Sequence, residues 1–395
     1  MNPGIDRPLR VFLSAGESSG DVLGGRLIAA LTERCPAGLE LQGVGGPEMA
    51  RQGLTSLFPM SELALMGLVE ILPHIPRLKR RIAETARAAT AFSPDVIVTI
   101  DAPGFNKRLA ASCGDLTCPK VHYVAPTVWA WRPGRVHKFK ALFDSLLCLL
   151  PFEPEYFTAV GLDARFVGHS ILESGADKGQ GATFRQKLGL AADTRLLCVL
   201  PGSRAGEAQR LLPVFQAAMA RYQQQRSDLD IQVLMPVVGH LRHHLEERTK
   251  DWPVPVHLVD SQDKYHAMAA SDLALAASGT VALELAMARV PAVVAYRLNA
   301  LTFQILRRLV RTRFAHLLNI AADREIVPEA IQERCNPDEI AELLLGLEGA
   351  AGRAQVDALA PVLETLRPEG TDLPSVAAAD AVMEIVHKGK RGPGS

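Results

Sequence analysis

Four turns in this sequence carry residues that can do chemistry, and each follows a short aliphatic or β-branched run. Asp101 closes the run Val96-Ile97-Val98-Thr99-Ile100 and precedes Ala102-Pro103-Gly104. A carboxylate at the carboxyl end of a buried strand can act as general base toward a hydroxyl within hydrogen-bond reach. An Asp that only fixes the following turn has the same local sequence. Leu200-Pro201-Gly202-Ser203-Arg204 ends a second run, and a helical pattern follows from Glu207 onward. A guanidinium beside a helix start suits a diphosphate, because fork-shaped donors and a fixed charge lie next to free amides. A surface ion pair is the alternative, and the strand-turn-helix context weighs against it. Ala277-Ser278-Gly279-Thr280 ends a third run. Ser278 reads as an N-cap there. Glu284, one turn further on among Val281, Ala282, Leu283, Leu285, Ala286 and Met287, is either a partner for ribose hydroxyls or a solvated helix carboxylate.

The fourth turn, Gly16-Glu17-Ser18-Ser19-Gly20-Asp21, lies between the first strand and a helix from about Val22. Its glycines permit a tight turn, and the amides at the helix start can hold an anionic or hydroxylated ligand. A turn capped by Ser or Asp accounts for the same residues. The segment also spells G-x-S-x-G, the nucleophile elbow of α/β-hydrolases, with Ser18 as nucleophile. Only 15 residues precede Gly16, however, whereas an elbow follows the strand that carries its oxyanion loop. The turn fits neither G-x-G-x-x-G nor a P-loop ending in Gly-Lys-Ser/Thr.

The elements that position these turns alternate between β-rich runs and helical patterns, the mark of βα units and parallel sheets. Strands are expected at 9–14, 39–44, 96–100, 121–124, 145–150 and 165–167, then at 196–200, 231–235, 256–259, 273–277 and 292–296. Around 169–183 the apolar periodicity fades into Gly, Ser, Asp and Lys, as linkers do. The expected organisation is an N-terminal domain over 1–170, a linker over 171–183, a second domain over 184–365, and a helix within 366–395 that packs back on the first domain and ends in a frayed basic tail. The fold class is α/β, two doubly wound domains facing a central cleft at the carboxyl ends of their strands, where such sheets bind ligands.

Length and composition narrow the function. The 395 residues exceed one ordinary domain, and 48% hydrophobic with 22% charged residues is the balance of a folded globular chain. With 43 basic and 43 acidic residues, no global field collects nucleic acid, so any anion or membrane contact must be local. Six cysteines without a CxxC pair fit a reducing cytosol. No signal peptide is read at the N-terminus, and no uncharged run reaches the roughly 18 residues of a spanning helix. Two signals are set aside: Asp228-Leu229-Asp230 lies at a solvated turn, and His240, His243 and His244 lack the Glu of HExxH. The apolar stretch 63–72, with Met66, Leu68, Val69, Ile71 and Leu72, is flanked by Arg77, Lys79, Arg80 and Arg81. That is how a protein lies on an anionic bilayer or receives an acyl chain, although core packing is the alternative.

Taken together, Ser14-Ala-Gly-Glu-Ser-Ser-Gly-Asp21, Met66-Gly-Leu-Val-Glu70, Asp101-Ala-Pro-Gly-Phe-Asn106, Ala125-Pro-Thr-Val-Trp-Ala-Trp-Arg132, Leu150-Pro-Phe-Glu153, Val167-Gly-His169, Leu200-Pro-Gly-Ser-Arg204, Ala277-Ser-Gly-Thr280 and Ala321-Ala-Asp-Arg-Glu325 resemble the lipid-A-disaccharide synthase family. The resemblance runs from about residue 10 to the C-terminal helices. It implies a GT-B glycosyltransferase, inverting and independent of metal or other cofactor. The donor would be UDP-2,3-diacylglucosamine and the acceptor 2,3-diacylglucosamine 1-phosphate, giving a β-1,6-linked disaccharide 1-phosphate and UDP. It implies Asp101 as the base for the acceptor 6-hydroxyl. It places the nucleotide-sugar site at Gly202, Ser203, Arg204, Glu207, Ser278, Gly279, Thr280, Glu284 and Asn319, with Gly16, Glu17, Ser18 and Ser19 as a substrate loop. Leu318 stands where the family's usual run has a proline before Asn319. The first domain would meet the acceptor, the acyl chains and the cytoplasmic face of the inner membrane; the second would hold the UDP-sugar. No nucleic-acid partner is expected, and a homodimer is left open. Two alternatives remain: an epimerase of nucleotide sugars with the same fold, and a serine hydrolase using Ser18.

Overall fold

The structure is a computed structural model that describes residues 7–63, 75–202, 204–299, 303, 309–310, 312–371 and 373–391. Ser203 and the apolar candidates Met66, Leu68, Val69, Ile71 and Leu72 lie outside the described residues. The chain divides into two compact units, residues 1–170 with 366–395, and residues 171–365.

The first unit is built on a parallel sheet of β1 (Leu9–Ala15), β2 (Leu39–Val44), β3 (Val96–Ile100), β4 (Lys120–Tyr123), β5 (Ser145–Cys148) and β6 (Asp163–Phe166), in the spatial order β2-β1-β3-β4-β5-β6. Val96, Ile97, Val98, Thr99 and Ile100 are all buried, the continuous apolar run of a strand covered on both faces. The helix Ser18–Arg34 packs Leu23, Leu27, Ile28 and Leu31 on one face of this sheet. The C-terminal helix Pro374–Arg391 adds Ala378, Ala379, Val382, Ile385 and Val386 to the same core, at helical spacing. Ion pairs from Arg34 to Asp380 and from Arg165 to Glu384, the latter at 2.9 Å, hold it there. At Gly168, φ is 82°, and a Cβ would stand 2.6 Å from Pro368 Cδ, so only glycine fits where the returning segment crosses.

The second unit carries β7 (Arg195–Leu200), β8 (Ile231–Val237), β9 (Val256–Asp260), β10 (Leu273–Ala277), β11 (Ala292–Tyr296) and β12 (Glu329–Ile331), all parallel, in the order β12-β11-β10-β7-β8-β9. This is the strand order of a dinucleotide-binding Rossmann sheet. The first sheet has only β2 outside β1, so its order is flavodoxin-like instead. β12 was not expected; its three residues, Glu-Ala-Ile, are too short for an alternation signal. The stretch expected as a linker packs within the second unit. A Cβ at Gly179 would lie 2.2 Å from the Tyr265 carbonyl oxygen, and one at Gly181 2.1 Å from that of Ala269. Its glycines therefore serve close backbone approach to the helix Lys264–Ala270.

Candidate functional site

In a doubly wound sheet, the crevice for a ligand opens where the strand order reverses, outside the carboxyl ends of the strands. The first sheet reverses between β1 and β3, whose register pairs Ala15 with Ile100, so Gly16 and Asp101 leave it side by side. The second reverses between β7 and β10, where Leu200 pairs with Ala276, so Pro201 and Ala277 also emerge as neighbours. All four turns singled out from sequence thus flank a reversal point of their own sheet.

Asp101 sits on a strained elbow. Its φ is 49° and that of Ala102 is 42°, both in the left-handed region that residues with a Cβ avoid. Such residues cost on the order of 1–3 kcal/mol each and persist only where neighbours over-determine them. The Asp101 N–H donates to the Tyr123 carbonyl at 2.9 Å. The wholly buried Asn106 supplies the rest. Its Nδ2 donates to the carbonyl oxygens of Asp101 at 2.8 Å, Ile100 at 3.1 Å and Ser14 at 3.3 Å, while its Oδ1 accepts from Ser14 Oγ at 2.7 Å. The turn after β1 closes from the other side, because a Cβ at Gly16 would stand 2.6 Å from Ala102 Cβ. The half-buried Asp101 carboxyl titrates above the ordinary aspartate range because burial disfavours its charge, with the Ala102 N–H partly offsetting this.

The remainder of the first loop is divided in purpose. Glu17 is the N-cap residue of the helix Ser18–Arg34, and Ser18 and Ser19 are exposed on its first turn. Asp21 is consumed structurally: buried, it caps the short helix Pro47–Arg51 by accepting from the N–H groups of Gly46 at 2.8 Å, Glu48 at 2.9 Å and Met49 at 3.0 Å. Among the described residues no histidine hydrogen-bonds Ser18, so the elbow resemblance lacks a base.

In the second unit, Gly202 takes φ 106°, and a Cβ there would lie 2.1 Å from Glu207 Oε2. Glu207 therefore folds back beneath the turn. Burial raises its carboxyl above the usual range, against the lowering fields of Arg204 and Arg210. Arg204 is the exposed N-cap residue of the helix Ala205–Gln225, and its carbonyl accepts from the N–H groups of Glu207 and Ala208, each at 3.0 Å. Across the reversal, Gly279 rather than Ser278 is the N-cap residue of the helix Thr280–Met287. The expectation for Ser278 is corrected by one position, and Gly279 and Thr280 are exposed. Glu284 is not solvated. Its two oxygens accept from Lys264 Nζ at 2.8 and 2.9 Å, and Oε1 also accepts from Tyr265 Oη at 3.1 Å.

Asn319 departs furthest from its expected part. It is fully buried; its Nδ2 donates to Val327 O at 2.8 Å and to Glu329 Oε1 at 2.9 Å, and its Oδ1 accepts from the N–H groups of Ile326 and Val327 at 2.8 and 2.9 Å. Both amide protons and both acceptor directions are occupied, so the side chain offers a ligand nothing directly. It ties Ile326 and Val327 to Glu329 of β12 instead. Asn106, Lys264 and Tyr265 were not singled out as site residues. The one signal in sequence was Asn106, a polar residue within the apolar pattern after the Asp101 turn. The discounted Asp228-Leu229-Asp230 is a strand-edge device, with Asp230 Oδ2 accepting from Thr194 Oγ1 at 2.7 Å. A hollow of about 530 Å³ lined by Arg195, Asp272, Arg289 and Arg353 opens at the amino ends of β7 and β10, the opposite edge from the turns.

A family model described as lipid-A-disaccharide synthetase matches residues 11–379. A relative in Rhodospirillum centenum named lipid-A-disaccharide synthase is 50% identical over 392 residues, covering 97% of this chain and 96% of its own. In fold, the chain is similar to the Neisseria meningitidis UDP-GlcNAc 2-epimerase bound to UDP-GlcNAc, with a TM-score of 0.61 and 10% identity over 96% of this chain and all of the other. It is equally similar to the glycotransferase of kitacinnamycin, with a TM-score of 0.62 and 15% identity over 96% of this chain and 99% of that one. The fold is thus the two-domain α/β GT-B fold.

Proposed function

The chain belongs to the lipid-A-disaccharide synthase family, and on that premise we propose how its residues perform the transfer. The enzyme is a glycosyltransferase that joins UDP-2,3-diacylglucosamine to 2,3-diacylglucosamine 1-phosphate. Asp101 takes the proton of the acceptor 6-hydroxyl as that oxygen attacks the donor's anomeric carbon from the face opposite UDP. The new β-1,6 bond forms as the bond to the diphosphate oxygen breaks, and UDP leaves with the electron pair. A carboxylate is far too weak a base to ionise an alcohol beforehand, so proton transfer accompanies attack. Position is therefore what Asp101 must supply, and the elbow pinned by Asn106 and Gly16 supplies it. That strained, half-buried carboxylate at the reversal of the first sheet is the observation that carries the reading.

In the second unit, Arg204 and the amides of the turn after β7 offset the charge that grows on the departing diphosphate. Glu284, oriented by Lys264 and Tyr265, accepts from the ribose hydroxyls. Asn319 acts through the shape of the loop it clamps. Among the described residues no helix is long and apolar enough to cross a membrane; the stretch 63–72, with its basic flank, seats the acyl chains and the enzyme on the cytoplasmic face of the inner membrane, where each buried CH₂ contributes about 0.8 kcal/mol. The test is UDP release from the diacylated donor in detergent, with and without the monosaccharide 1-phosphate. Release that requires the acceptor supports the transfer; equal turnover without it contradicts it.

A further inference from the structure

The block Ala125 to Arg132 has no part in the chemistry above. Half of it is structural. Trp129 Nε1 donates at 3.1 Å to the buried Glu153, whose other oxygen accepts from the N–H groups of Leu149 and Leu150 at 3.0 and 3.1 Å. Trp131 faces different company. The guanidinium of Arg132 lies 4.6 Å from its ring centre and that of Arg135 5.8 Å. Arg135 and Lys138 project from the helix Arg135–Lys140, and Lys107 and Arg108 from the helix Pro103–Ser112. Lys107 Nζ stands 5.7 Å from the ring of Phe139, which draws the two helices' cations together.

Among the described residues none of these five cations has a carboxylate partner. Some cations elsewhere are paired, as Arg81 is with Glu62 and Glu84, and Arg185 with Asp272, and others such as Arg204 are not among the described residues, but those do not gather around one ring. Lys107 and Arg135 titrate below their ordinary values, first through burial and then through neighbouring cations: Arg135, Lys138 and Arg108 for Lys107, and Arg132 for Arg135. A chain with no net charge that gathers five unpaired cations, two of them partly buried, leaves a counter-anion to be supplied from outside. The Trp131 ring gathers both guanidinium groups, whose forked donors suit phosphate better than a point charge does.

The position selects the phosphate. The helix bearing Lys107 starts two residues beyond Asp101, and Lys107 lies about 6 Å of rise along it. On an aminosugar 1-phosphate, the carbons bearing the anomeric phosphate and the 6-hydroxymethyl group both flank the ring oxygen. A base on the 6-hydroxyl and a holder of the phosphate must therefore be near neighbours. We propose that Lys107, Arg132 and Arg135, with Arg108 and Lys138 at the rim, bind the phosphate monoester of the sugar acceptor. The proposal rests on the acceptor assignment given above.

The experiment compares acceptors with and without the 1-phosphate in neutral detergent micelles, using wild type, Lys107→Gln with Arg135→Gln, and the exposed pair Arg108→Gln with Lys138→Gln. Thermal melts check folding. The expected result is an acceptor KM raised on the order of 10- to 100-fold in the inner pair, with the preference for the phosphorylated acceptor collapsing, and a smaller rise in the outer pair. Arg135→Lys should recover part of it. Unchanged preference in the folded variants overturns the site. So does a defect confined to binding phosphatidylglycerol vesicles over phosphatidylcholine ones, because the anion would then be a bilayer headgroup. Titration with glucosamine 1-phosphate, followed by tryptophan fluorescence, separates the two readings. Binding that depends on the cluster without any UDP release keeps the phosphate site and removes the transferase reading; UDP release indifferent to the cluster does the reverse.

Discussion

The two reversal points solve opposite problems with the same strand-turn-helix parts. In the first unit, a carboxylate is held on two consecutive left-handed residues, locked by a buried amide and by a glycine that leaves room for Ala102. In the second, Gly202 absorbs the positive φ of its turn, and the charged residue, Arg204, stands exposed at the helix start. In the proposed transfer a base must meet one hydroxyl at one angle, and the strain at Asp101 would fix it there. The proposed diphosphate presents several oxygens, which amides and a long flexible cation can meet, so the turn can stay relaxed.

That contrast is open to attack at either end. Arg204→Ala should cost on the order of 10² to 10³ in kcat with little loss of thermal stability, since the side chain is exposed. A comparable fall in melting temperature would mean that Arg204 supports the fold instead. Asn106→Ala should do both kinds of damage. It strips partners from the carbonyls of Asp101 and Ile100 and from Ser14, at about 1–3 kcal/mol for the buried groups left unpaired, and frees the elbow, lowering kcat by roughly tenfold or more. Stability loss with kcat intact would separate the amide from the chemistry. Gly16→Ala, forced against Ala102, should lower kcat more than donor affinity, whereas Gly202→Ala, forced against Glu207, should weaken donor binding first. Identical profiles for the two would erase the distinction between the loops.

The smallest expected effect is a linkage. Asp101 has a folded-state pKa above its unfolded value, so the folded state holds the proton more tightly and stability falls as pH rises through the folded pKa. Asp101→Asn should therefore melt slightly higher than wild type at alkaline pH and show no advantage below the ordinary aspartate range. The same shift places the acid limb of kcat/KM higher than a free aspartate would, since only the ionised form accepts the proton.

Much of this was legible in the sequence, for identifiable reasons. Strands buried on both faces write themselves as unbroken runs such as Val96 to Ile100, and the turns that follow them carry the proposed site residues. β12 escaped because three residues hold no period. The pairing of Lys264 with Glu284 escaped because it joins helices that follow different strands, a contact set only by β9 and β10 both ending at the same edge of the sheet. Asn319 could be matched to a motif, but whether its amide is free or consumed by Val327 and Glu329 is a matter of packing. Asp21 shows the same limit, since its partners lie 25 to 28 residues downstream. The five cations around Trp131 are scattered over 107–138 and become a cluster only once two short helices are laid together.

The most direct test of the account is the acceptor-dependent rate of UDP release by Asp101→Asn beside wild type, with the donor saturating and folding verified. The expected result is a loss on the order of 10² to 10⁴ in kcat, donor binding retained, and disappearance of the acid limb from the residual rate. A variant that turns over within a few-fold of wild type, on the same acid limb, would contradict it and move the base elsewhere.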